Sequence, residues 1–205
     1  MRIGGRNNVL ITGQADQPVM MLANGFGCDQ NMWRRLTPLL AADREPERFR
    51  QLVLIGPSPR YVDDDDYRGG FSRSDIDELL ESLDSNYLGW SAAMAPVIMG
   101  NPDRPELRQE LTNSFCRTDP QAARVFARTT FLSDNRSDLA RVTVPTLILQ
   151  CSSDVIAPTG VGRYVHDQIP GSVLVTLPAT GHCPHLSAPA ATAEAIRAFA
   201  VGPGP

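Results

Sequence analysis

Two residues of this chain have the type and the position for acid–base chemistry. Asp154 stands in Cys151-Ser152-Ser153-Asp154-Val155-Ile156-Ala157-Pro158, just after the apolar run Thr146–Gln150. His182 stands in Gly181-His182-Cys183-Pro184-His185, just after the apolar run Val173–Leu177. Both runs read as buried strands, the second stopped by Pro178. The two residues therefore fall beyond strand C-terminal ends, where open α/β sheets place their sites. A carboxylate there can accept the imidazole Nδ1–H, fix its tautomer and stabilise the imidazolium. The other ring nitrogen is then a general base. Position alone also allows a structural loop pair with no chemistry.

Other candidates carry less. Cys28 lies between a strand and a helix, but no cationic neighbour lowers its pKa in sequence, so it reads as a small buried residue. His182, Cys183 and His185 crowd around Pro184 without a second ligand cluster, so no metal and no cofactor are expected. Asp63–Asp66 lacks the glycine and terminal glutamate of a calcium loop and reads as a solvated loop. Tyr61, Phe71, Tyr87, Trp90, Phe115, Phe126 and Phe131 are candidates to line a pocket, though helical spacing assigns part of them to ordinary packing.

The elements that must position these residues follow from patterning. Val19–Ala23 is a buried strand entering the turn Asn24-Gly25-Phe26-Gly27, and Asn31–Ala42 has helical spacing. Gln51–Ile55 is a further strand, stopped by Gly56-Pro57-Ser58-Pro59, and Val9–Thr12 is a candidate antiparallel edge. Short strands alternating with helices predict a mostly parallel α/β sheet. From Ser74 to Leu139 there are only helical signals. They predict four helices: one begun by Ser74-Asp75-Ile76-Asp77, one over Tyr87–Met99, one from Pro102-Asp103-Arg104-Pro105 to Phe115, and one from Asp119-Pro120 to near Phe131. Helices are also expected over Gly160–Gln168 and Ala190–Ala200. The organisation expected is a core of residues 1–62 and 140–201, a helical lid of residues 63–139, and a tail of residues 202–205.

Composition sets the outer bounds. The 205 residues are 42% hydrophobic and 20% charged, enough for a real core. Net charge is −4 and all 19 cationic residues are arginine, with no basic block. Nucleic acid and anionic membrane are therefore poor partners. No apolar run reaches the roughly 18–20 residues of a membrane span, and no signal-peptide pattern is read at the N-terminus, so cytoplasm is the default. The four cysteines show no C-x-x-C spacing and read as free thiols.

Four blocks together resemble a known family: Asn24-Gly25-Phe26-Gly27-Cys28-Asp29-Gln30-Asn31-Met32-Trp33, Leu54-Ile55-Gly56-Pro57-Ser58-Pro59-Arg60-Tyr61, Leu149-Gln150-Cys151-Ser152-Ser153-Asp154, and Gly181-His182-Cys183-Pro184-His185-Leu186-Ser187. They are similar to the RsbQ-type α/β hydrolases of bacterial stress sigma-factor regulation, and to the plant strigolactone and karrikin receptors. Acid before histidine is also the triad order of that fold. The resemblance implies a four-helix lid over a hydrophobic pocket. It implies ester-type hydrolysis or sensing of a small hydrophobic ligand, with a stress-pathway phosphatase as regulatory partner. It makes Asp154 the acid and His182 the base. It places Gly25 and Phe26 at the oxyanion site, with Phe26 giving one N–H, and Trp90 at the pocket.

The nucleophile breaks the pattern. The fold needs G-x-S-x-G on a strained strand-to-helix turn, and no such motif occurs in the chain. Ser58 is not a substitute. Pro59 has no N–H to give an oxyanion, and Arg60-Tyr61-Val62 starts no helix. By resemblance about sixty residues are absent between Ala42-Asp43 and Arg44-Glu45-Pro46-Glu47, carrying two central strands and the elbow. The expectation is an α/β-hydrolase fold with impaired or absent turnover, or a non-catalytic ligand sensor. The shortened sheet either exposes two edges or closes by pairing Val19–Ala23 with Gln51–Ile55.

Overall fold

The computed structural model describes residues 51–201. The strands Val9–Thr12 and Val19–Ala23, the helix Asn31–Ala42, and Gly25, Phe26 and Cys28 lie outside the described residues. The described chain runs β1 (Leu52–Ile55), α1 (Arg73–Ser85), α2 (Tyr87–Met99), α3 (Pro105–Arg117), α4 (Pro120–Leu132), α5 (Arg136–Leu139), β2 (Thr146–Ser153), α6 (Thr159–Gln168), β3 (Val173–Thr180), α7 (Pro184–Ser187) and α8 (Pro189–Val201). No described helix is long and apolar enough to cross a membrane.

The three described strands form one parallel sheet in the order β1-β2-β3. Leu52 pairs with Thr146 at the start of the first ladder, and Leu147 with Val173 at the start of the second. Parallel neighbours need a crossover. Helices α1–α5 make the first and α6 the second, so the four long helices are an excursion of one crossover. β2 is buried at six successive positions because both of its faces are covered. Leu147, Leu149 and Cys151 pack with Ala193 and Ile196 of α8, while Ile148 packs with Val165 of α6 and Ile169 just after it.

Several boundaries differ from the sequence expectation. β3 passes through Pro178 to Thr180. Among the described residues it pairs only with β2, and a register shift between Cys151 and Ser153 falls at that point. Edges and bulges are where a strand tolerates a missing N–H. α1 starts at Arg73, because Ser72 makes a capping box with Asp75: Ser72 N donates to Asp75 Oδ2 (2.8 Å) and Asp75 N to Ser72 Oγ (3.1 Å). α3 starts at Pro105, since Arg104 N donating to Asn101 O (2.9 Å) first closes a turn. α5 and α7, four residues each, are too short to register as periodicity.

The four long helices share one hydrophobic cluster, built from Ile76, Leu80, Leu83, Leu107, Leu111 and Phe115 with their neighbours, and Cys183 and Leu186 join it. The acidic run is only partly the solvated loop expected. Asp64 is paired with Arg136 (2.9 Å) and Asp63 Oδ1 accepts from Gly70 N (2.9 Å), whereas Asp65 and Asp66 are exposed or nearly so at the loop tip and no ion pair of theirs joins this network. Arg136 ties the two ends of the excursion together. Asn135 N donates to Pro59 O (2.8 Å), Arg60 meets Asp134 (2.9 Å), and Arg136 meets Asp134 (2.7 Å) as well as Asp64. The Arg136 guanidinium, hydrogen-bonded to Asp134, holds that carboxyl far below the usual carboxylate range.

Candidate active site

Asp154 sits at the first position after β2, with its side chain fully buried. Its Oδ1 accepts Ile156 N (2.9 Å) and Ala157 N (3.1 Å), and its Oδ2 faces His182 Nδ1 at 2.8 Å. An ionised carboxylate only accepts, so this contact suits a ring that donates from Nδ1, and in its neutral form such a ring has the Nε2 lone pair free. The structure thus brings together the two residues singled out by sequence. The His182 side chain is 22% exposed, so the ring remains reachable.

Sequence reasoning missed the residues that hold this pair. Gln150 is 1% exposed, and its Nε2 donates to Ala157 O (2.8 Å), so it grips the turn whose N–H groups grip Asp154. Its signal was a lone polar residue inside an apolar strand. Gly162 of α6 leaves the room, since a Cβ there would overlap the Gln150 amide. Gly56, at the end of β1, has φ +56°, and a Cβ on it would lie 3.0 Å from His182 Cε1 and 3.1 Å from Nδ1. The histidine backbone is suspended between two elements. Gly181 N donates to Ser153 O and His182 N to Ile98 O, both at 2.8 Å.

An open cleft of about 410 Å³ lies between α1 and α2, lined by Leu79, Ser82, Gly89, Trp90, Ala93 and Met94 among others. Trp90 is 4% exposed, with its ring 5.1 Å from Phe115, edge to face. Of the other aromatics, Tyr87, Phe115 and Phe131 belong to the hydrophobic cluster of the helical excursion, and Phe126 is 46% exposed. Tyr61 packs on Phe131 at 5.1 Å. Burial, and then the charge of Asp154, push its hydroxyl up to about 12.

Ser58, Ser91 and Cys151 do not have the setting of an activated nucleophile. Ser58 donates to Arg60 O (2.8 Å) in a turn that no helix follows. Ser91, in Gly89-Trp90-Ser91-Ala92-Ala93, is buried in mid-helix and donates to Tyr87 O (2.7 Å). Burial, and then Asp154, push the Cys151 thiol up to about 12, so no thiolate forms there near neutral pH.

The arrangement of parallel strands, helical excursion, acid and histidine has counterparts among known proteins. The model described as "Alpha/beta hydrolase family" matches residues 42–195. A probable esterase of Oryza sativa subsp. japonica is 30% identical over 247 residues, which cover 89% of this chain and 91% of the relative. That aligned span exceeds the whole 205-residue chain, so the rice protein has a stretch with no counterpart here. A strigolactone esterase of Arabidopsis thaliana is 38% identical over 160 residues, covering 78% of this chain but only 60% of the relative. A solved hydrolase structure from Oleispira antarctica matches with a TM-score of 0.79 and 31% identity, covering 87% of this chain and 89% of its own. With its acid and histidine at the ends of neighbouring parallel strands and a helical excursion between strands, the chain belongs to the alpha/beta hydrolase family.

Proposed function

We propose that this chain is an esterase-type α/β hydrolase whose Asp154 and His182 serve as acid and general base toward a small apolar ester or lactone, with turnover impaired by the missing serine elbow. The observation that carries the reading is the 2.8 Å contact from His182 Nδ1 to the fully buried Asp154 carboxylate. It leaves Nε2 as a base, with no hydroxyl among the described residues set to be activated by it. The relatives named as esterases support the substrate class. Phe26 N–H would give half of an oxyanion site, and the other half belongs to the residue after the missing serine. Removing a triad nucleophile leaves only about 10³–10⁴-fold over water, and losing half the oxyanion site lowers that further. Hydrolysis of p-nitrophenyl acetate tests this. The parent chain is expected to show at most a weak rate above background, and His182→Ala to lower it further. A robust rate that His182→Ala abolishes would mean a working nucleophile exists.

A second reading is favoured by the cleft whose apolar wall is Leu79, Trp90, Ala93 and Met94, with Asp75, Glu78 and Asn86 as its polar lining. A pocket kept without a nucleophile suits a sensor that binds a small hydrophobic lactone and signals to a regulatory protein, a stress-pathway phosphatase by resemblance. Apolar lactones are then expected to raise the melting temperature. Failure of a panel of them to do so counts against this reading.

A further inference from the structure

The lid helix α2 ends against the histidine loop, and that loop fills one of its last carbonyls. The final four C=O groups of a helix have no partner within it. Here Ile98 O accepts His182 N at 2.8 Å, and Met99 O accepts Asn101 Nδ2 at 2.8 Å. The same Nδ2 reaches Thr180 O, at the end of β3, at 2.9 Å. Asn101 holds φ +54°, directly after Gly100 at φ +56°. Asparagine bears the left-handed region better than most residues, but such backbone persists only where the surroundings impose it. Two glycines allow the close approach. A Cβ on Gly100 would lie 2.8 Å from Thr180 Cγ2, and one on Gly181 would overlap the Met99 carbonyl. On its far side the loop is tied through Gly181 N to Ser153, the residue before Asp154.

We propose that Asn101 is a positioning residue for His182: by bridging the end of α2 to the end of β3, it makes the lid helix set where the imidazole stands against Asp154. The proposal rests on the acid–base reading of that pair. It also gives the lid a mechanical route to the site. α2 carries Trp90, Ala93 and Met94 into the cleft, and Ile98 stands one helical turn beyond Met94. A shift of α2 therefore moves the carbonyl that holds His182 N. A helix cap alone would need only Met99 O. The second bond, to Thr180 O, is what ties the cap to the histidine strand.

The test follows the His182 Nδ1–H proton by NMR, with Asp154→Asn to assign it and the Leu149 amide as a reporter of the sheet core. Asn101→Gly keeps the left-handed backbone without strain and deletes both side-chain bonds. It is expected to speed Nδ1–H exchange with solvent roughly tenfold while Leu149 is unchanged. Asn101→Asp keeps the shape but has no donor at neutral pH and sets its carboxylate against two carbonyl oxygens, so it is expected to speed exchange at least as much as Asn101→Gly. An unchanged rate at His182 in either variant overturns the proposal. So does an equal acceleration at Leu149, which would make Asn101 a general support of the fold. Absence in the parent of any slow proton that Asp154→Asn removes would strike the acid–histidine pair itself, a failure separate from that of Asn101.

Discussion

At Gly56 the chain leaves β1 with φ +56°, and the space a Cβ would take lies against the His182 ring. A side chain there meets two costs, the left-handed backbone and the imidazole edge. Gly56→Ala is expected to cost about 1–3 kcal/mol and to displace the ring from Asp154. Chemical denaturation reads the first effect and the His182 ring proton shifts read the second. An unshifted ring would mean that the backbone moves instead. Asp154 and His182 were legible in the sequence because each follows an apolar run and strand ends place sites. Gln150, Gly56 and Asn101 were not. Their roles lie in what they touch across the fold: Gln150 the Ala157 carbonyl, Gly56 the ring edge, and Asn101 a strand 79 positions away.

Among elements, the four long helices were readable from caps and apolar spacing, while their attachment was not. Arg136 sits on a one-turn helix with no periodic signal, and it joins Asp134 at the exit of the helical excursion to Asp64 at its entry. Its guanidinium also lies over the Tyr67 ring at 5.2 Å. Networks of this kind hold more than single exposed pairs, though each contact is modest. Arg136→Ala is expected to cost about 1 kcal/mol and to speed amide exchange across α1–α4, leaving Ile148 and Leu149 of β2 unchanged. Equal acceleration in β2 would show that the excursion and the sheet open as one unit. The extension of β3 through Pro178 was likewise invisible. A proline signals a strand stop unless the strand is known to lie at an edge.

For the molecule as a whole, pH acts through a residue outside the acid–base pair. His185 of α7 is 6% exposed, and its pKa falls from 6.5 to about 4, chiefly through burial and secondarily through the charge of His182. The folded chain then resists a proton that the unfolded chain accepts. Stability from this group is complete above about pH 6.5 and is lost as pH falls toward 4, by ~3 kcal/mol at most. Urea midpoints measured between these limits are expected to drop with acidification, and His185→Leu is expected to flatten the slope. A parent midpoint level across that range would mean that His185 protonates as easily folded as unfolded.

The sequence by itself determined the parallel α/β class, the strands around Gln51–Ile55, Thr146–Gln150 and Val173–Leu177, the placing of Asp154 and His182 just after two of them, and the lack of a G-x-S-x-G elbow. These are local properties: apolar runs, turn residues and a motif with fixed spacing. Only the tertiary structure decided that Asp154 and His182 meet at 2.8 Å, that Gly56 closes behind the ring, and that the end of α2 holds the histidine backbone. Contacts between residues far apart in the chain depend on how the covered sheet and the helical excursion pack together. No periodicity along the chain encodes that distance.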